Sequence, residues 1–181
     1  MEGDQSINES NVNKQTWKKF IDKVEFQSVT IERDGKIVLD NLNVKIEKNK
    51  KYAISGSSGS GKSTILKAIN GEIPISKGHI FYDNIDSKNI NFKDLHENIS
   101  YVSLEDHIFN ESILFNLTLG REIEDSKIER ALELFYLRDW INGLNHGLET
   151  TLSEISQDIS SGQKQRISLA RAYLEEKPIL I

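Results

Sequence analysis

Three glycines, a lysine and several hydroxyl residues occur between residues 56 and 64, at a spacing suited to binding phosphate groups. The stretch reads GSSGSGKST and contains the pattern G-x-x-x-x-G-K-S from Gly56 to Ser63. Glycines let backbone N–H groups point inward around a phosphate, and a helix starting at the same place adds positive potential. The pattern therefore predicts a phosphate-binding loop between a strand and a helix.

Each residue type in this loop has a defined role toward a nucleotide. Lys62 supplies a fixed positive charge for the β and γ phosphates and is the candidate catalytic residue. Ser63 offers a hydroxyl ligand for Mg²⁺, and Thr64 can hydrogen-bond the α phosphate, so a nucleotide with Mg²⁺ is the expected ligand, which the family resemblance given below implies to be ATP. The predicted nucleotide-binding residues are Gly56, Ser57, Ser58, Gly59, Ser60, Gly61, Lys62, Ser63 and Thr64.

A second candidate anion site lies farther along the chain, in the stretch ISSGQKQRISLARA that begins at Ile159. Ser160, Ser161, Gly162 and Gln163 form a Ser/Gly turn at the predicted start of a helix with a basic first turn. The N–H groups at a helix start favour negative charge. An ordinary N-capped helix is the alternative interpretation.

The two stretches together resemble the nucleotide-binding domain of the ATP-binding cassette (ABC) family. Residues 159–163 match that family's L-S-G-G-Q signature, and the resemblance runs from Val24 to Ile181. The segments ESILFNLTLG and GLETTLSE, the latter ending at Glu154, are similar to those of exporter-type domains. No guanine-reading N-K-x-D tetrapeptide occurs, which disfavours a GTPase.

The resemblance implies a function, partners and a location. In the family, ATP hydrolysis drives transmembrane export, and two domains bind head to tail with two ATP molecules between them. The signature of one domain then closes over the phosphate loop of the other. The implied partners are a transmembrane domain or subunit and a second nucleotide-binding domain, at the cytoplasmic face of the membrane. The transported substrate is unknown.

Three positions depart from the family pattern. Arg33 stands where an aromatic side chain stacks on adenine; a guanidinium plane can also stack on a base, or Arg33 is simply solvated. Leu104 stands at the position of a Gln that contacts Mg²⁺ and the attacking water, and a one-residue shift would bring Glu105 there. Ser161 replaces the first signature glycine, which is a mild change because Gly162 remains.

The last residues, EEKPILI, predict a strand that in the family continues into an Asp and a Glu, the Walker B carboxylates. Neither carboxylate is in this sequence, so we expect an ATP-binding chain that is truncated in the Walker B strand and does not hydrolyse ATP by itself. Two alternatives stay open at this point. One is a degenerate, non-hydrolysing partner in a heterodimeric transporter, and the other is an inactive fragment.

Composition agrees with one ordinary cytoplasmic domain. Apolar residues make up 37% and charged residues 28% of the 181 residues, and the net charge of −5 argues against nucleic-acid binding. There is no Cys, and His79, His96, His107 and His146 are too widely spaced to predict a metal site. No apolar run approaches about 20 residues, and the polar N-terminus is unlike a signal peptide.

The predicted fold is α/β, with a P-loop NTPase core, an antiparallel β subdomain and a helical subdomain around residues 117–160; the C-terminal part of the core is expected to be missing. Residues 1–23 are predicted to be a flexible N-terminal tail or linker, in which Trp17, Phe20 and Ile21 dock loosely, and residues 24–181 the ATP-binding domain. The predicted strands are VEFQSVTIE, KIVLDNLNVKIE and KYAIS, and the predicted helices are 63–70, one capped by Asp125 or Ser126, and one from about Ser160.

Overall fold

The computed structural model describes residues 16–103, 107–153 and 159–181. The chain divides into two compact units, residues 1–98 and residues 99–181. Leu104, Glu105 and Glu154, which the sequence singles out, lie outside the described residues.

An antiparallel sheet is the main feature of the first unit. Its strands are β1 (Lys23–Arg33), β2 (Lys36–Glu47), β3 (Lys77–Tyr82) and β4 (Ile85–Asp86), in the spatial order β2-β1-β3-β4. Val24 pairs with Ile46 and with Tyr82, and Phe26 pairs with Val44 and with Ile80. Val24, Phe26, Ile80 and Tyr82 are all buried, as expected when alternate residues of a strand face one core. The predicted antiparallel β subdomain is confirmed.

The prediction of a strand at KYAIS is wrong. Residues 50–56 have no strand pairing with any described part of the chain, and the third strand of the sheet is β3 instead. Tyr52 and Ile54 are 49% and 39% exposed. A β-like sequence forms a strand only when a neighbour supplies backbone partners and covers one face, and neither condition holds for this run.

Two helices complete the first unit: α1 (Lys62–Ile69) follows the predicted phosphate loop, and α2 (Phe92–Asn98) follows β4 after a 3₁₀ turn at Ser87–Asn89. Asn70 is the C-cap of α1, and Gly71 follows with φ of 73°. The prediction of a helix over residues 63–70 is therefore confirmed to within one residue. The positive φ at Gly71 is the usual conformation just after a helix end.

The segment before β1 packs on this unit through two aromatic side chains. Trp17 and Phe20 are each only 3% exposed, which confirms the predicted docking at these positions. Ile21 is 70% exposed, so its predicted docking is wrong. The backbone turns there to enter β1, and Ile21 and Asp22 lie on the solvent side. The division of the chain at residue 23 stays a prediction.

Helices dominate the second unit. They are α3 (Ile113–Thr118), α4 (Asp125–Leu134), α5 (Arg138–Asn142) and α6 (Ser161–Leu174), with a 3₁₀ turn at Gly147–Glu149. Their shared core is formed by Ile113, Leu117, Ile128, Ala131, Leu132, Leu137, Ile141, Ile167, Ala170 and Leu174. Ile128, Ala131 and Leu132 of α4 are buried in this core, and Phe135 packs against it partly buried.

The boundaries of α4 and of the last strand also bear on the sequence predictions. The N-cap of α4 is Glu124, without a side-chain cap bond, so the predicted cap at Asp125 or Ser126 is wrong by one residue. β6 (Ile179–Leu180) forms where EEKPILI predicts a strand, and it pairs in parallel with β5 (Ile99–Ser100). Two further backbone hydrogen bonds extend this pairing: the Ile181 amide donates to the Ser100 carbonyl oxygen, and the Val102 amide donates to the Ile181 carbonyl oxygen.

None of the helices in the described ranges is long and apolar enough to cross a membrane.

Candidate functional site

The predicted phosphate loop connects the exposed segment 51–60 to the start of α1. Gly61 is the N-cap of α1 and has φ of 88°, a left-handed conformation that disfavours other residues. A Cβ at Gly61 would lie 2.7 Å from Leu39 Cδ2 and 3.1 Å from the Val38 carbonyl oxygen. The loop thus needs glycine at this position both for its backbone conformation and for its close approach to β2.

The start of α1 presents backbone donors that no side chain satisfies. The first turn of any helix has N–H groups without partners inside the helix, and the Gly61 cap provides no side-chain hydrogen bond. There is no acidic residue in this first turn. Ser63 is exposed and Thr64 is half-buried, so the hydroxyl of Ser63 is open to solvent next to these donors.

The ammonium group of Lys62 lies at the same loop. Its Nζ donates hydrogen bonds to the carbonyl oxygens of Gly56, at 3.0 Å, and Ser57, at 2.7 Å. The side chain therefore folds back over the loop that precedes it. A cation, a set of free N–H donors and a hydroxyl are brought together within one short stretch of chain. This combination can bind a polyphosphate.

The second candidate anion site is the N-terminus of α6. Ser160 is the N-cap, and its Oγ accepts a hydrogen bond from the Gln163 amide at 3.2 Å. The Gln163 side chain in turn accepts from the Ser160 amide at 2.9 Å, which completes a capping box. Ser161 and Gly162 occupy the exposed first turn between them. This site lies in the second unit and the phosphate loop in the first.

Comparison with known proteins identifies the family of this chain. The family model for ABC transporters matches residues 39–181. The chain belongs to the ABC transporter family. It is 38% identical to an ATP-dependent lipid A-core flippase of Salmonella typhimurium strain LT2, over 97% of this chain and 32% of the flippase. The flippase of the same description from Escherichia coli strain K12 is 37% identical over the same shares.

A solved structure gives the same result for the fold. The structure of a bacterial Atm1-family ABC exporter with ATP bound superposes with a TM-score of 0.86 at 27% sequence identity, covering 98% of this chain and 32% of that one. The chain thus spans about a third of the length of the relatives that it matches. The predictions of an ABC nucleotide-binding domain of exporter type and of a P-loop NTPase fold are confirmed.

The ABC resemblance predicts that Arg33 contacts adenine, and this role stays a prediction. Arg33 is the last residue of β1, and its side chain is 79% exposed. Its Nε lies 3.8 Å from the carboxylate of Asp34, also exposed, and such a pair holds a side chain only weakly. The guanidinium is free to reorient toward a ligand.

The sequence gives only a weak signal for a polar cluster beside the signature helix. Asn116, in the apolar run ILFNLT of α3, is fully buried and exchanges hydrogen bonds with the backbone of Phe109 on both sides of its amide. Arg171 of α6 donates to the Asn116 carbonyl at 2.8 Å and to the His107 carbonyl at 3.0 Å. A lone Asn in an apolar helix is the available clue, since a buried amide requires partners. The partner Arg171 could not be identified from the sequence.

Proposed function

We propose that this ABC transporter chain binds ATP with Mg²⁺ through residues 56–64 and serves as the motor part of an exporter. The main support is the convergence of Lys62, the uncapped start of α1 and the Ser63 hydroxyl on one exposed loop. The family match over residues 39–181 supports the same ligand.

Different groups of the chain bind the phosphates, the metal ion and the adenine ring. The N–H groups at the start of α1 receive phosphate oxygens, and Lys62 exchanges its two carbonyl partners for the β and γ phosphates. Thr64 hydrogen-bonds the α phosphate, and Ser63 holds Mg²⁺, which neutralises phosphate charge when bound. Arg33 stacks on the adenine ring.

The signature residues Ser160, Ser161, Gly162 and Gln163 act on a second domain. Their exposed position at the start of α6 suits contact with the γ phosphate held by another copy or a homologous domain. The other partner is a transmembrane domain or subunit, and the site of action is the cytoplasmic face of the membrane. The degenerate-partner and inactive-fragment alternatives are not favoured by the relatives, which include an ATP-dependent flippase and an ATP-bound exporter.

Calorimetric titration of the 181-residue chain with Mg·ATP tests the proposal. Lys62→Ala should weaken binding by about tenfold or more, because it removes the fixed charge on the phosphates. Lys67→Ala is a matched control, since Lys67 is an exposed lysine in the last turn of the same helix and should leave the affinity unchanged. Equal affinities for the Lys62→Ala variant and the unmodified chain would refute the proposal.

A further inference from the structure

The segment from Thr16 to Asp22, called the strap here, is held on one side by the carboxylate of Asp83. Asp83 lies in the turn between β3 and β4 with φ of 58°. Its carboxylate accepts hydrogen bonds from the Trp17 indole at 2.9 Å and from the amide of Asp22 at 2.7 Å. The amides of Ile21 and Lys23 also donate to it, both at 3.2 Å. The strap is not part of the sheet, so these bonds replace the ladder partners that its backbone lacks.

Helix α2 holds the other side of the strap. The Trp17 amide donates to the Asp94 carboxylate at 2.9 Å, and the Phe20 amide donates to the Asn98 side chain at 2.9 Å. Asn98 is only 3% exposed. Trp17 and Phe20 contact each other edge to face at 6.2 Å between ring centroids. The backbone amides of Trp17 and Phe20 therefore attach the strap to α2, and the rings of the same two residues pack against each other.

Tyr82 connects the strap to the helix that follows the phosphate loop. The Trp17 and Tyr82 rings lie 5.1 Å apart, and Tyr82 is completely buried. The Tyr82 hydroxyl donates to the carbonyl oxygen of Ile69, the last residue of α1. Burial raises the pKa of the Tyr82 phenol above its usual range, so the hydroxyl remains a donor at neutral pH.

Helix α1 depends on its C-terminal end, at Ile69, for its stability. It has only eight residues, and a helix this short is marginal without tertiary contacts. Its buried residues, Ala68 and Ile69, both lie in the last turn, whereas the ammonium group of Lys62 at the other end bonds to the carbonyl oxygens of Gly56 and Ser57. A change in how the last turn is held therefore alters how well the first turn is ordered for a ligand.

We infer that the strap is a positioning element for the candidate ATP site, acting from Trp17 and Asp83 through Tyr82 on α1. The inference rests on the proposed function, because its ligand is ATP. It gives a regulatory role to Trp17, Asp83 and Tyr82, which the proposed nucleotide chemistry does not require. Coupling of this kind is reciprocal: the strap strengthens ATP binding, and bound ATP stabilises the strap by the same factor.

Hydrogen exchange without nucleotide tests the first link, from Tyr82 to α1. Tyr82→Phe keeps the buried ring and removes the donor to Ile69, so amides of residues 62–71 should exchange faster than in the unmodified chain. Tyr136→Phe is the control, because Tyr136 is 80% exposed and lies in the other unit. Unchanged exchange of residues 62–71 in the Tyr82→Phe variant would overturn the inference, whether or not the chain binds ATP.

ATP titration tests the second link. Tyr82→Phe and Asp83→Asn should each weaken Mg·ATP binding by about fivefold or more, and saturating ATP should slow exchange of residues 16–23 in the unmodified chain. Asn tolerates a positive φ, so Asp83→Asn removes the charge without backbone strain. Should Asp83→Asn not fold, Tyr82→Phe still decides the question. Unaltered affinity in a folded Tyr82→Phe variant overturns the inference, whereas an unmodified chain that does not bind ATP refutes the proposed function.

Discussion

The guanidinium of Arg171 and the backbone of Asn116 join two helices that are far apart in sequence: Arg171 Nε donates to the Asn116 carbonyl at 2.8 Å across 55 residues. Arg171 also lies 5.8 Å from the centroid of the Phe109 ring. The signature helix α6 is therefore tied to α3 near its C-terminal end, while its N-terminal end remains exposed.

Arg171→Met should destabilise the second unit by about 1.5–3 kcal/mol, because it leaves carbonyl groups of Asn116 and His107 without a charged donor. Urea unfolding followed by the fluorescence of Trp140 in a Trp17→Phe background would measure this. Arg166→Met is the matched control on the same helix, since Arg166 is exposed and makes one bond of 3.3 Å to the Tyr136 carbonyl. Equal losses of stability in the two variants would show that the bonds from Arg171 do not stabilise the second unit more than those of an exposed arginine.

Ser160→Ala should destabilise the same unit by about 1 kcal/mol, because α6 loses the acceptor for the Gln163 amide. Ser160→Asp preserves an N-cap acceptor and should be close to the unmodified chain in stability. The same urea titration distinguishes them. If the Asp and Ala variants were equally unstable, the capping box would not be the source of the effect.

Gly61→Ala should cost more stability than Gly59→Ala, although both glycines have positive φ. A Cβ at Gly59 meets nothing within 4 Å, so only the backbone strain of about 1–2 kcal/mol applies there. At Gly61 the added atom also approaches Leu39 and Val38 of β2. Thermal unfolding of the two variants compares the costs, and equal melting temperatures would show that the contact with β2 yields without strain.

Leu104→Gln concerns catalysis rather than binding. In a chain that is extended through the Walker B Asp and Glu and the later histidine of the family, and is paired with its transmembrane partner, the change should raise ATP turnover by about tenfold or more, since Gln can position the attacking water and Leu cannot. The affinity for Mg·ATP should change little, because the Gln acts on the water and metal more than on the bound phosphates. Steady-state ATPase assays at saturating ATP compare the two forms. Equal rates would exclude Leu104 as a catalytic lesion and direct attention to Glu105.

The features that could be predicted from the sequence are those that depend on short-range patterns. The glycine spacing of residues 56–61 predicts the start of α1, and Ser160 with Gln163 predicts the start of α6, because both signals act within one helical turn. The short β-like runs of β1 and β2, separated by a turn at Asp34-Gly35, likewise predict an antiparallel pair.

The features that could not be predicted depend on distant partners. KYAIS has the composition of a strand, but pairing is decided by neighbours that a local pattern does not contain. The indole of Trp17 finds its acceptor Asp83 66 residues later, and nothing near either residue indicates the other. Arg171 and Asn116 are a similar case, since only the three-dimensional packing of α3 on α6 brings them together.

The parallel pairing of β5 with β6 has a consequence for synthesis of the protein in the cell. The backbone of Ile99 acquires its partner Ile179 only after about 80 further residues have been synthesised. At ribosomal rates of about 5–20 residues per second, β5 stays unpaired for about 4–16 seconds, whereas β1 and β2 can form their hairpin as soon as they emerge. During translation the nascent second unit thus exposes Ile99, an apolar residue that is buried in the folded chain, and exposed surface of this kind favours association between unfinished chains.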